Sequence, residues 1–177
     1  MEQEKKLSDM TLEELWELFP IQLAEHNELW SAYYEEMKKN IEQVLSDCSV
    51  ARISHIGSTA IKDIWAKPIV DILVEINENE GIEKAAALIQ SIGFIQMSTE
   101  PKRISLNFGY TESGYAQKVY HLHIRCKGDN DELYFRDYLN EYQETAKLYE
   151  QLKLSLWKEY EHDRDGYTDA KATFVNK

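Results

Sequence analysis

His55-Ile56-Gly57-Ser58-Thr59, followed by Asp71 inside the apolar run Ile69-Val70-Asp71-Ile72-Leu73-Val74, joins a small-residue turn to a carboxylate on a buried strand. Glycine has no Cβ, so such a turn lets backbone N–H groups approach a phosphate, and a carboxylate on the neighbouring strand can hold a divalent cation. Together they read as a metal-nucleotide site, with Gly57, Ser58 and Thr59 on the phosphates and Asp71 on the metal and the chemistry. A Gly-Ser pair alone is more often only a turn. Asp71 sharpens the reading, because a carboxylate on a buried strand must meet a cation, an Arg or Lys, or several donors. A structural ion pair would satisfy it equally. Lys67, just before Pro68, is either a phosphate-neutralising cation or an exposed lysine at the start of the strand.

His121-Leu122-His123 places two imidazoles on one strand face. With His55 and Asp71 they offer a nitrogen-rich metal site, or a general base in which His123 is the leading candidate. Imidazole in place of carboxylate shifts the preference from Mg toward Zn or Mn. The bland alternative is that each ring satisfies a buried neighbour. Arg136, Arg164 and Lys171 could clamp a phosphorylated substrate if brought to one cleft, although Glu132 and Arg136 also fit a helix-surface i, i+4 pair.

The elements that must position these groups follow from periodicity. Thr11 and Glu14 have capping-box spacing, which predicts a short helix before Pro20. Apolar positions from Leu29 to Leu45 recur at helical spacing within a predicted helix over 27–47. Strands are expected over 50–56, 69–76 and 94–98, with a hairpin of 103–110 and 117–126. Helices are expected over 81–91 and over 130–163 with a break near 141–144, and a last one over 167–175. The sum is an α/β (α+β) domain, a mixed sheet of about five strands flanked by helices.

The 177 residues suffice for one domain, taken as 1–177 with a short helical extension over 1–18. Thirty-two acidic against 20 basic residues give a net charge of −12, which argues against nucleic acid and anionic membrane surfaces as partners. Cys48 and Cys126 have no disulfide or zinc-knuckle spacing. No apolar run nears the roughly 20 residues of a membrane span, and the first residues lack a signal-peptide core, so a cytoplasmic protein is expected. The oligomeric state is not legible.

The segments HIGSTA (55–60), AKPIVDI (66–72), HLH (121–123), FRDYL (135–139) and YTDAKA (167–172), in that order, resemble the GrpB family over roughly residues 18–175. The resemblance implies a nucleotidyltransferase-like fold, in which a Gly-Ser turn precedes a strand with two alternating acids. It also implies a metal-dependent enzyme that binds a nucleoside triphosphate and transfers a nucleotidyl or phosphoryl group to a small acceptor. Two catalytic ions about 3.5–4 Å apart want carboxylates at i and i+2 of one strand face. Here the second position is Leu73, and Glu75 lies a further pleat away. The alternatives are therefore a catalytically impaired domain binding a nucleotide or phosphorylated metabolite, or a protein-interaction module.

Overall fold

Thr11 Oγ1 accepts the Glu14 N–H, and the Glu14 carboxylate accepts the Thr11 N–H. This reciprocal cap starts α1 (Leu12–Leu18), as the spacing predicts. The computed structural model describes residues 5–77 and 81–175, so the outermost residues of the expected 1–177 domain lie outside it. A 3-10 turn, Leu7–Asp9, precedes α1.

The expected five-stranded mixed sheet is present, in the order β1-β2-β5-β4-β3. Its strands are β1 (Val50–Ile56), β2 (Val70–Ile76), β3 (Ile95–Glu100), β4 (Arg103–Thr111) and β5 (Gly114–Cys126). β2 and β5 run parallel and every other neighbouring pair is antiparallel. The helices that follow α1 are α2 (Leu29–Val44), α3 (Ile82–Gln90), α4 (Asp131–Glu141), α5 (Gln143–Trp157) and α6 (Arg164–Val175). Among the described residues no helix is long and apolar enough to cross a membrane.

Strand alternation sorts the sheet into two unlike faces. One face carries Ile72, Val74, Leu122, Ile124 and Leu106 into the main core, where Trp30, Met37 and Ile41 of α2 and Ala85 and Ile89 of α3 cover it. The opposite face carries the polar residues in register: Asp71 lies beside His121, Leu73 beside His123, and His121 and His123 beside Asn107 and Ser105. Smaller apolar clusters hold the C-terminal helices against it, including Leu139, Ala146 and Tyr149 with Ile61 and Ile64, and Leu133 with Ile56 and Leu73.

The departures from the expected boundaries have local causes. The last helix begins at 164 rather than 167 because Asp163 caps it, its Oδ1 accepting the Gly166 N–H at 2.9 Å. β5 begins at 114 because Thr111 pairs directly with Gly114, at φ 105°, across a two-residue turn. β4 contains a bulge between Phe108 and Tyr110. Gly109 occupies it at φ 89°, and a Cβ there would stand 2.3 Å from the Lys118 carbonyl oxygen. The bulge resets the alternation: Phe108 packs with the main core, whereas the Tyr110 hydroxyl reaches His121 on the opposite face.

Candidate functional site

Asp71 stands near the start of β2, directly under the Gly57 turn. Gly57 has φ 72°, and a Cβ on it would fall 2.3 Å from Asp71 Oδ2. Only glycine lets the turn close over the carboxylate. Asp71 Oδ1 is 3.4 Å from His121 Nδ1 and 3.7 Å from His123 Nε2. Burial pushes the Asp71 carboxyl up, but the hydrogen bonds and charge of His121 and His123 outweigh it and hold the group well below the usual carboxylate range.

A hydrogen-bonded chain leads outward from this cluster. His121 Nε2 is 2.7 Å from the Tyr110 hydroxyl, which also receives the Arg164 Nη2 donor at 3.0 Å. A phenol has one proton. With Arg164 donating to its oxygen, Tyr110 donates to His121 Nε2, and a neutral His121 then carries its proton on Nδ1, facing Asp71. His123 is held on its other side by Ser105, at 3.3 Å from Nδ1.

Asp71, His121 and Tyr110 line a cleft of about 860 Å³ together with Ser58, Lys67, Lys153, Arg164 and Lys171. Four cations thus meet in a chain of net charge −12. Lys67 and Lys171 stand over the Tyr167 ring, 4.6 and 4.3 Å from its centroid. Lys153, only 2% exposed, donates to the Trp65 carbonyl and lies 4.8 Å from the Tyr149 ring centroid. Burial, reinforced by the neighbouring cations, pulls Lys67 and Lys153 down to about 7, and burial pulls Lys171 down to about 8. The buried Tyr167 hydroxyl has no hydrogen-bond partner among the described residues.

Of the residues singled out in the sequence, Gly57, Ser58, Lys67, Asp71, His121, His123, Arg164 and Lys171 come together at or beside this cleft. Three do not. His55 was grouped with the other histidines as a metal ligand, but it pairs with Ile72 and so belongs to the opposite face of the sheet. There its ring stacks on Tyr34 and its Nε2 meets Thr59 Oγ1 at 2.9 Å. Burial takes it down to about 4, and the ring is neutral. Thr59 is buried and donates to the Ile69 carbonyl, so it fastens the turn rather than facing a substrate. Arg136 is spent on the His55 carbonyl and on Asp137, pinning α4 to the end of β1.

A two-ion centre needs a second carboxylate on the Asp71 face of β2. Leu73 is fully buried among Ile56 and Leu133, and Glu75 is occupied by Arg52, the Gly128 N–H and Asn130. Among the described residues no three His, Cys, Asp or Glu side chains are grouped to hold a metal ion. A two-carboxylate, two-ion site does not fit.

Lys153 and Tyr110 escaped the sequence reading. Lys153 had a signal, since it continues the buried stripe Ala146, Tyr149, Glu150 of α5, where a lysine needs a reason. Tyr110 had a weaker one in Gly109, a glycine inside a strand pattern.

Fold and site together define an α+β domain with a cation-lined cleft on the polar face of a mixed sheet. The family model described as "GrpB protein" matches residues 20–177, and the chain belongs to this family. It is 34% identical over 161 residues to the glutamate-rich protein GrpB of Alkalihalophilus pseudofirmus, covering 88% of this chain and 91% of that one. A UPF0157 protein of Deinococcus radiodurans is 35% identical over 149 residues, covering 82% and 73%. The crystal structure of conserved protein GrpB from Enterococcus faecalis superposes with a TM-score of 0.75 at 27% identity, over 88% of this chain and 93% of that one.

Proposed function

We propose that this protein binds a nucleoside triphosphate, or a closely similar phosphorylated metabolite, in the cleft, and that its reaction class is nucleotidyl or phosphoryl transfer to a small acceptor. The observation that carries the reading is the convergence of Lys67, Lys153, Arg164 and Lys171 opposite the Gly57-Ser58 turn in an otherwise strongly acidic chain. Partly desolvated cations attract a multiply charged anion far more strongly than surface lysines do, and arginine can grip a phosphate with two donors. Binding also returns to the lysines the counter-charge that burial denies them. Asp71, held in place by His121 and His123, takes the proton of the acceptor hydroxyl as its oxygen bonds to phosphorus and the bond from phosphorus to the leaving group breaks, expelling pyrophosphate in nucleotidyl transfer or the nucleoside diphosphate in phosphoryl transfer, whose charge the cleft cations take up.

Leu73 supports a second reading of the same cleft, binding without turnover, because the apolar side chain leaves the strand one carboxylate short of a two-ion mechanism. One experiment separates the two. The protein is titrated with ATP, GTP, CTP and UTP, with and without magnesium, and release of pyrophosphate and of nucleoside diphosphate is followed in parallel in the presence of a panel of small hydroxyl and amine acceptors. Binding with release supports transfer; binding without release supports the second reading; no binding of any of them overturns both.

A further inference from the structure

The cations occupy only one part of the cleft. Much of the rest of its wall is apolar: Leu7, Leu12, Leu15 and Trp16 of the N-terminal segment, with Ile95 and Met97 of β3. These side chains line the space without filling it. No residue of α1 is buried, and Leu12, Ile95 and Met97 are 51%, 55% and 59% exposed. β3 is the edge strand of the sheet, and all six of its residues are exposed. A seven-residue helix is too short to persist on its own backbone bonds, so its apolar face must be held by something. Among the described residues Lys5 pairs with Glu14 from the segment before it, and its polar ties to the rest of the domain gather near its C-terminal end, where the Trp16 carbonyl and Glu17 meet His162 and the Phe19 carbonyl meets Tyr115.

We infer that residues 7–19 and β3 form the specificity half of the cleft, holding a flat aromatic group joined to the phosphates that the cations bind. The inference rests on the proposed phosphate site and assigns its non-phosphate end. The chemistry of the wall selects an aromatic group over an alkyl chain. Trp16, Phe19 and Tyr110 present rings, Met97 a thioether and Asn107 an amide in the same wall, whereas the Gln96 amide is spent on Gln90 and Thr99. An alkyl chain would desolvate the Asn107 amide without pairing it, whereas a heteroaromatic ring stacks on the rings and hydrogen-bonds the amide. The cleft, at about 860 Å³, is in the range that encloses a whole drug-sized ligand rather than a bare phosphate chain. Because the family match starts at residue 20, this wall is built largely by a segment outside the family domain.

The test uses the full chain and calorimetric titration with tripolyphosphate, the four common nucleoside triphosphates and dodecyl phosphate, applied to the wild type, Trp16→Ala, Leu12→Gln and Lys171→Gln. The expected result is that at least one nucleotide binds about tenfold or more tighter than tripolyphosphate, the scale of one aromatic stacking contact. Trp16→Ala and Leu12→Gln, neither of them a buried position, erase that advantage and leave tripolyphosphate binding unchanged. Lys171→Gln weakens both. The inference is overturned if tripolyphosphate binds as tightly as every nucleotide, if the advantage survives in both wall variants, or if dodecyl phosphate binds tightest; in each case the phosphate site itself stands. If nothing binds, the phosphate site fails and the inference falls with it.

Discussion

Gly57 and Asp71 depend on each other at the scale of single residues. The carboxylate occupies the space that any Cβ on Gly57 would need, and the positive φ excludes other residues at low strain. Gly57→Ala is therefore expected to lower stability by about 1–3 kcal/mol in urea unfolding and to weaken nucleotide binding by displacing Asp71. An alanine variant with unaltered unfolding and binding would contradict this coupling. Gly57, Ser58 and Asp71 were legible because a Gly-Ser turn and a lone acid in an apolar run are anomalies of type. His55 misled because proximity in sequence to Gly57 says nothing about which sheet face a side chain takes; its pairing with Ile72 decides that. Arg136 misled for a related reason, since a guanidinium in an attractive motif serves equally well as a pin on a backbone carbonyl.

Among the elements, α1 and β2 make opposite demands. α1 lines the cleft with no buried residue, so the Thr11–Glu14 cap carries much of the order of its first turn. Thr11→Ala is expected to cost the helix about 1 kcal/mol. Faster amide exchange confined to 12–18 would report it, with a looser nucleotide complex and an almost unchanged global unfolding midpoint. If the whole molecule lost stability equally, α1 would be part of the core and not a wall of the cleft. β2 is the reverse. Leu73 is fully buried, so Leu73→Asp, which writes in the missing second acid, is expected to destabilise by more than about 3 kcal/mol and to create no metal-dependent activity. A folded, metal-activated Leu73→Asp protein would show that the strand can accept a two-ion centre after all. The strands and helices themselves were legible from periodicity. The bulge at Gly109 and the cap at Asp163 shifted two of them, and those shifts place Tyr110 and Arg164 where they meet.

For the whole molecule, buried bases give the stability a definite pH profile. His55, held at about 4 in the fold and near 6.5 when unfolded, binds more proton in the unfolded state between those values, so stability rises as pH climbs from about 4 to 6.5. Lys67 and Lys153 at about 7 and Lys171 at about 8, against 10.5 unfolded, add a second rise from about pH 7 to 10.5. Urea midpoints across this range should trace both rises, His55→Gln flattening the first and Lys153→Met shrinking the second, which Lys67 and Lys171 still carry. Binding of an anion needs the protonated lysines and should weaken over the same alkaline interval in which the free protein gains stability. A flat profile above pH 7 would mean that the lysines are ordinary solvated cations.

The net charge of −12 describes the chain as a whole and conceals the cleft, because charge gathered by folding from Lys67, Lys153, Arg164 and Lys171 has no trace in composition. The most direct test of the phosphate site is the equilibrium binding of ATP, with and without magnesium, at pH 7 to the wild type and to the Lys67→Gln, Lys171→Gln double variant. The expected result is saturable one-to-one binding by the wild type, weakened by about tenfold or more when two cations are removed. Failure of the wild type to bind ATP, the other three nucleotides or tripolyphosphate, or undiminished binding by the double variant, would contradict the account.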